Sequence, residues 1–208
     1  IPTEVPVQLD SAERARKQIK REYKLKIISR EGIATVSRTL IDGTIAYLYT
    51  LVSGKDPFNY DCNNTEGVEY NKPYTHNIWL EKTVLKEFPD AFHRLFGFFD
   101  DIKAPNIVIT SSKKYHFINV YDVAKKKQKT LKNHQTHDGL FADESIIPAT
   151  FAGPCFSNGT KIPYGRNVDV VPTILKALDI PFEENDMDGE PLSEAIDNNY
   201  NNNNKNNN

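Results

Sequence analysis

Histidine, acid and glycine meet in one short run of this chain, His134-Gln-Thr-His137-Asp-Gly-Leu-Phe-Ala-Asp143-Glu144. Hydrolytic metal sites are built from neutral imidazoles and carboxylates drawn from several loops at the rim of a sheet. His137 fits that role, and Gly139 just after it lets backbone come close. Asp143 and Glu144 are candidates for a general base or for carboxylates that orient a ligand. Their plainer role is loop solvation or helix capping, and that role is favoured. His134 lies three residues before His137, but Asn133, Gly139 and the polar run argue against a helix, so it is read as a surface residue. His76, His93 and His116 fall among aromatic or helix-patterned residues without a partner at metal-ligand spacing, and are read as structural. No Walker-type loop, Gly-x-Ser-x-Gly elbow or Cys-x-x-Cys pair is present.

The elements that would position such a loop come next. Asp10-Ser11 caps a charged helix expected over about Ala12 to Tyr23. Two strand-like runs, Ala34–Leu40 and Thr44–Leu51, flank Asp42-Gly43, a strong hairpin signal because both turn positions tolerate positive φ. Ser53 to Thr75 is rich in Gly, Pro, Asn and Asp and reads as a long surface loop. Trp79 to Phe99 has helical period broken at Pro89-Asp90, predicting one helix before Pro89 and another from Ala91 to Phe98. Asn106–Thr110 is a short apolar run of the type buried in a sheet, and Ile146–Ala152 is a second strand candidate. The lysines from Lys125 to Lys132 read as a solvated loop. Val170–Leu178 is a compact helix with Pro172 near its first turn, and Asp169 stands ready to cap it.

Composition bounds the rest. The 208 residues suit one domain, or a large piece of one. A hydrophobic share of 38% and a charged share of 26% are those of a globular chain. The net charge of −2 gives no bulk drive toward nucleic acid. No apolar run approaches the roughly 20 residues needed to span a bilayer. From Asp197 the chain is nearly pure asparagine, so 197–208 is expected to be a disordered tail. The opening Ile1-Pro2 carries no leader-like segment, which leads to the expectation of a fragment whose true start lies elsewhere. Cys62 and Cys155 are compatible with one disulfide or with two separate thiols. The glycosylation sequons Asn63-Asn-Thr and Asn158-Gly-Thr favour a secretory or extracellular route, though such tripeptides arise easily in an asparagine-rich chain.

Five blocks in order carry a resemblance: His137-Asp-Gly-Leu; Glu144-Ser-Ile-Ile-Pro148; Phe151-Ala-Gly-Pro154; Arg166-Asn-Val-Asp169-Val-Val-Pro172-Thr-Ile-Leu-Lys-Ala-Leu-Asp-Ile-Pro181; and Asp188-Gly-Glu-Pro-Leu192. Together they resemble the C-terminal end of the alkaline phosphatase superfamily, most closely the type I phosphodiesterase and nucleotide pyrophosphatase group. Sulfatase-like and phosphatase branches stand close behind. The resemblance implies an α/β fold: an alkaline-phosphatase-like three-layer αβα sandwich, C-terminal part only, spanning 1–196, with an inserted β-hairpin. It implies a phosphoester substrate, two divalent metals, usually zinc, and His137 as one metal ligand. A phosphorylated Ser or Thr nucleophile and the remaining ligands would precede the matched region. No Asp-x-x-x-His or Asp-His pair occurs in Ile1–Tyr121, so no catalytic residue is assigned within the chain. The rival readings are a sulfatase- or phosphatase-like fragment, and a non-catalytic remnant that serves interaction.

Overall fold

The computed structural model describes residues 24–64, 67–101, 103–112, 139–183 and 187–197. The helix expected over Ala12–Tyr23, the lysine-rich loop, His116, His134, His137 and the tail beyond Asp197 lie outside the described residues. The described residues divide into two compact units, one within 24–147 and one within 148–197. The described residues mix α and β structure around an antiparallel sheet. None of their helices is long and apolar enough to cross a membrane.

The first unit is a four-stranded antiparallel sheet in the order β1 (Lys24–Ile28), β2 (Gly32–Ile41), β3 (Thr44–Gly54) and β4 (Pro73–Thr75). Asp42 and Gly43 adopt φ of 49° and 83°, so the two-residue turn between β2 and β3 is the primed type that matches strand twist. The hairpin thus stands where the sequence places it, and it is two strands of a larger sheet. Tyr47 pairs with Arg38, Tyr49 with Val36 and Leu51 with Ala34. Alternation therefore puts these residues on one face of the sheet.

That face is covered by α1 (His76–Thr83) and α2 (Ala91–Phe99). The break between them spans residues 84–90: α1 starts before Trp79 and stops well short of Pro89, unlike the run expected there, while α2 begins at Ala91 as expected, with Asp90 in the left-handed region at φ 50°. Thr83 holds the break together: its hydroxyl donates to the Trp79 carbonyl (2.6 Å) and accepts from the Asp90 N–H (2.9 Å). Trp79, Phe92 and Phe96 of the helices pack with Tyr47 and Tyr49 of β3. The Trp79 indole N–H donates to the Tyr47 carbonyl at 3.0 Å, fastening α1 to the sheet.

The stretch Ser53–Thr75 differs from the surface loop expected of it. Phe58, Tyr60, Cys62 and Val68 are buried in the aromatic core. The cause is Asp56, whose carboxylate accepts from the Tyr49 and Tyr70 hydroxyls and from the N–H groups of Phe58, Tyr60 and Asp61. One acid collects the loop's orphan donors and lets its aromatic rings turn inward. The Gly, Pro, Asn and Asp residues marked the turns correctly; the rings between them carried the burial signal.

Two strand expectations are corrected. Asn106–Thr110 forms no strand, and Ile107 and Ile109 are 76% and 73% exposed. Ile146–Ala152 runs without a ladder, with Ile147 71% exposed. An apolar run becomes a buried strand only when a neighbour pairs its backbone, and neither run has a partner strand among the described residues.

The second unit centres on α4 (Val170–Ala177), preceded by a 3-10 turn at Asn167–Asp169. A bridge between Phe156 and Ile196 and a second 3-10 turn at Ser193–Ala195 close it.

Candidate functional site

His137 itself lies outside the described residues, but the segment that follows it is held firmly. Gly139 and Leu140 lead into α3 (Ala142–Ser145), the one-turn helix that carries Asp143 and Glu144. Arg94 of α2 reaches across 45 residues of sequence to this segment. Its guanidinium donates to the Gly139 carbonyl at 2.6 Å and to the Leu140 carbonyl at 3.1 Å. The Ala142 N–H donates to the Glu87 carbonyl (2.8 Å), and the Phe88 and Phe141 rings lie 4.8 Å apart. Burial pulls the pKa of Arg94 down, while Asp90, Tyr60 and Glu144 act the other way. A guanidinium remains charged under such pressure, so Arg94 is a fixed cationic fork against the start of the loop. Arg94 was not legible as a site residue, because its partners are remote in sequence and are backbone carbonyls.

Asp143 and Glu144 both sit on the exposed first turn of α3. Asp143 lies where an acid complements a helix start. Glu144 does something more specific. Its carboxylate folds against Gly139, where an added Cβ would stand 1.5 Å from Oε2.

The downstream blocks meet in the second unit. Asp169 is buried and caps in a different way from that expected: it closes a capping box with Arg166 on the 3-10 turn that runs into α4. Its carboxylate makes no capping bond to α4; it accepts the Arg166 N–H (2.6 Å) and the Glu190 N–H (2.9 Å). Thr173, one turn along, donates its hydroxyl to the Asp169 carbonyl (2.6 Å) and accepts the Leu192 N–H (2.9 Å). Gly189 lies so close to the Val168–Asp169 backbone that a Cβ there would meet the Val168 carbonyl oxygen at 2.3 Å. Two sequence blocks some twenty residues apart are thereby one knot. The local helix signal was strong enough to suggest a cap, and nothing local announced Glu190 as the partner.

Of the histidines read as structural, two are brought together. His76 opens α1 and His93 lies on α2, with ring centroids 5.1 Å apart and nearly parallel. The Tyr47 hydroxyl lies 2.9 Å from His93 Nδ1. Their positions against the aromatic core suit the structural role. Cys62 and Cys155 are both free, buried thiols. Burial, with help from Asp56 and Asp61, pushes the Cys62 thiol up to about 12. Cys62 is therefore protonated and inert near neutral pH.

Among the described residues no group of three or more His, Cys, Asp or Glu side chains is placed to hold a metal ion. Comparison with family models, with curated proteins and with solved structures gives no match to this chain.

Proposed function

We propose that the chain is the C-terminal part of a metal-dependent phosphoester hydrolase of the phosphodiesterase or nucleotide pyrophosphatase type. In this reading it supplies one wall of the site and His137 as a zinc ligand. The observation that carries it is the knot between Arg166–Ala177 and Gly189–Leu192. The residues that make these two blocks recognisable, Asp169, Thr173 and Gly189, are those that lock them together. A likeness resting on scattered chance matches would have no reason to fall on the residues in mutual contact.

Exposed apolar surface supports the larger architecture, an αβα sandwich to which these residues contribute. Val171, Ile174 and Leu178 make an apolar stripe on α4 at spacing i, i+3, i+7, and all three are exposed. The Ile107–Ile109 and Ile146–Ile147 runs are exposed as well. An apolar helix face such as that of α4 is commonly covered by another element.

When bound, two divalent ions would supply charge neutralisation at the phosphoryl oxygens and activation of the attacking groups. The described residues contain no ligand set for them, so no step is routed through them. What this chain does in the proposal is positional: Arg94 and Phe88 fix Gly139–Phe141, and hence the polypeptide leading out of His137.

The test is made on the full-length protein. His137→Ala is expected to lower bound zinc, measured by elemental analysis, and to abolish turnover of a bis(nitrophenyl) phosphate. Unchanged zinc would return His137 to an ordinary surface residue. The isolated 208 residues are expected to show no turnover, and robust metal-dependent activity from them would overturn the proposed division of the site. Hydrolysis of an aryl sulfate in place of the phosphodiester would favour the sulfatase-like reading.

A further inference from the structure

In the first unit Asp56 and Asn64 are held by hydrogen bonds, whereas Asn63 there and Asn158 in the second unit are among the asparagines left exposed. Both belong to sequons. Asn158-Gly159-Thr160 forms an exposed turn in the second unit, directly after the bridge at Phe156. The turn's base is tied down by Ser157 N–H to the Ala195 carbonyl (2.8 Å) and Asp197 N–H to the Cys155 carbonyl (3.0 Å). Gly159 takes φ 73°, a left-handed conformation that glycine adopts freely, and nothing lies within 4 Å of where its Cβ would be. The turn therefore stands out from a fixed base into open space, with Asn158 and Thr160 both exposed. Asn158 makes no hydrogen bond among the described residues.

Asn63 is the asparagine of the other sequon. It is exposed in the turn that follows buried Cys62. Its neighbour Asn64 is held instead, donating from its side-chain amide to the Asp61 carboxylate at 2.8 Å. The amide left outward is the one a sequon offers; the middle residue is the one tied down.

We propose that Asn158, and Asn63 with it, are N-glycosylation sites, and that the protein passes through a secretory compartment. The co-reactant is an oligosaccharide carried on a lipid pyrophosphate. The asparagine Nδ2 forms a bond to the sugar's anomeric carbon, and the carbon–oxygen bond to the pyrophosphate breaks. The lipid pyrophosphate leaves with the electron pair, and an amide proton passes to a base of the transferring enzyme. A glycan is bulky and hydrophilic and needs a protruding, solvated attachment point, which both turns supply.

The experiment uses the full-length protein purified from its own cells, treated or not with an amidase that releases N-linked glycans. Treatment is expected to raise electrophoretic mobility and to leave Asn158 and Asn63 converted to the acid, seen as a mass gain of about one dalton in each peptide. Asn158→Gln should remove one step of that mobility change. Thr160→Ala should remove the same step while keeping the asparagine, and Thr160→Ser should restore it. Folding of each variant is checked by hydrogen-exchange protection of the Glu190 and Leu192 amides. Mobility insensitive to the amidase, with unmodified Asn158 recovered by mass spectrometry, would overturn the proposal. The readout is independent of hydrolase activity, so it stands or fails apart from the function proposed above.

Discussion

The two units of this chain are held by different physics. In residues 24–101 the cohesion is apolar. Tyr47, Tyr49, Phe58, Tyr60, Trp79, Phe92 and Phe96 pack ring against ring, and nearly every polar atom among them is spent on fastening one element to another. In residues 148–197 few large apolar side chains are buried, and several on α4 face outward. There the cohesion is polar: one buried carboxylate and one buried hydroxyl each take an N–H group from a segment some twenty residues away. A core of rings stands on its own because burial is favourable whatever the neighbours do. A polar knot with an apolar helix face fixes a shape and leaves surface for something else to cover.

The largest effect should come from the first kind of cohesion. Phe92 is buried and contacts Tyr47, Tyr49, Phe58, Tyr60 and Trp79, with centroids 4.7 Å from Trp79 and 4.8 Å from Tyr49. Phe92→Ala is expected to destabilise this unit by about 3–5 kcal/mol, the range for deleting a buried ring from a packed core. Trp79 is the only tryptophan in the chain, so its emission during urea unfolding reports this unit directly. A loss below about 1 kcal/mol would mean that the rings do not form one cooperative core.

How much of this was legible follows the same division. The β2–β3 hairpin, the start of α2 after Pro89-Asp90 and α4 were all readable, because turn chemistry and helical period are written within a few adjacent residues. Ser53–Thr75 was misjudged because its fate depends on Asp56 finding Tyr49 and Tyr70, and such pairing has no local spelling. Asn106–Thr110 and Ile146–Ala152 have strand composition, but a strand needs a partner as well as a sequence. At the candidate site, Gly139 and the two acids were visible as types, whereas Arg94 was invisible because it binds carbonyls. Asp169 was singled out as a cap and closes a capping box with Arg166; its second partner was missed, because helix-capping statistics describe the residues beside it and Glu190 lies twenty-one positions on.

An intermediate effect tests the polar knot. In Asp169→Asn one oxygen can still accept one N–H, but the amide that replaces the other oxygen meets a second donor. One of the Arg166 and Glu190 N–H groups is then left unsatisfied in a buried position, and the surviving bond loses its charge. The expected cost is about 2 kcal/mol. Hydrogen exchange should show protection lost at Glu190 and Leu192, the amides received by Asp169 and Thr173. If those amides exchange as before, the knot is not what holds the second unit. Any accompanying shift in the Trp79 transition measures how far the two units unfold together.

The smallest effect separates two glycines that the sequence presents alike, each following an aspartate in a recognisable block. At Gly189 an added methyl would meet backbone, the Val168 carbonyl oxygen at 2.3 Å and its carbon at 2.4 Å. Backbone cannot step aside without moving Asp169, so Gly189→Ala is expected to cost about 1–3 kcal/mol, as overpacking does. At Gly139 the obstacle is closer, Oε2 of Glu144 at 1.5 Å, but it is the tip of an exposed, flexible side chain. Glu144 swings into solvent, and alanine restricts the unfolded chain, a gain of about 0.4–1 kcal/mol where the backbone conformation permits it. Gly139→Ala is therefore expected to lie within about 0.5 kcal/mol of the parent in urea unfolding followed by Trp79 emission. The Gly139→Ala, Glu144→Ala pair should match Gly139→Ala alone, since the clash is already relieved by rotation. A large loss in the single variant, recovered in the pair, would show that Glu144 is held in place by something other than its contact with Gly139. The loop after His137 would then be a more rigid piece of the site than its exposure suggests.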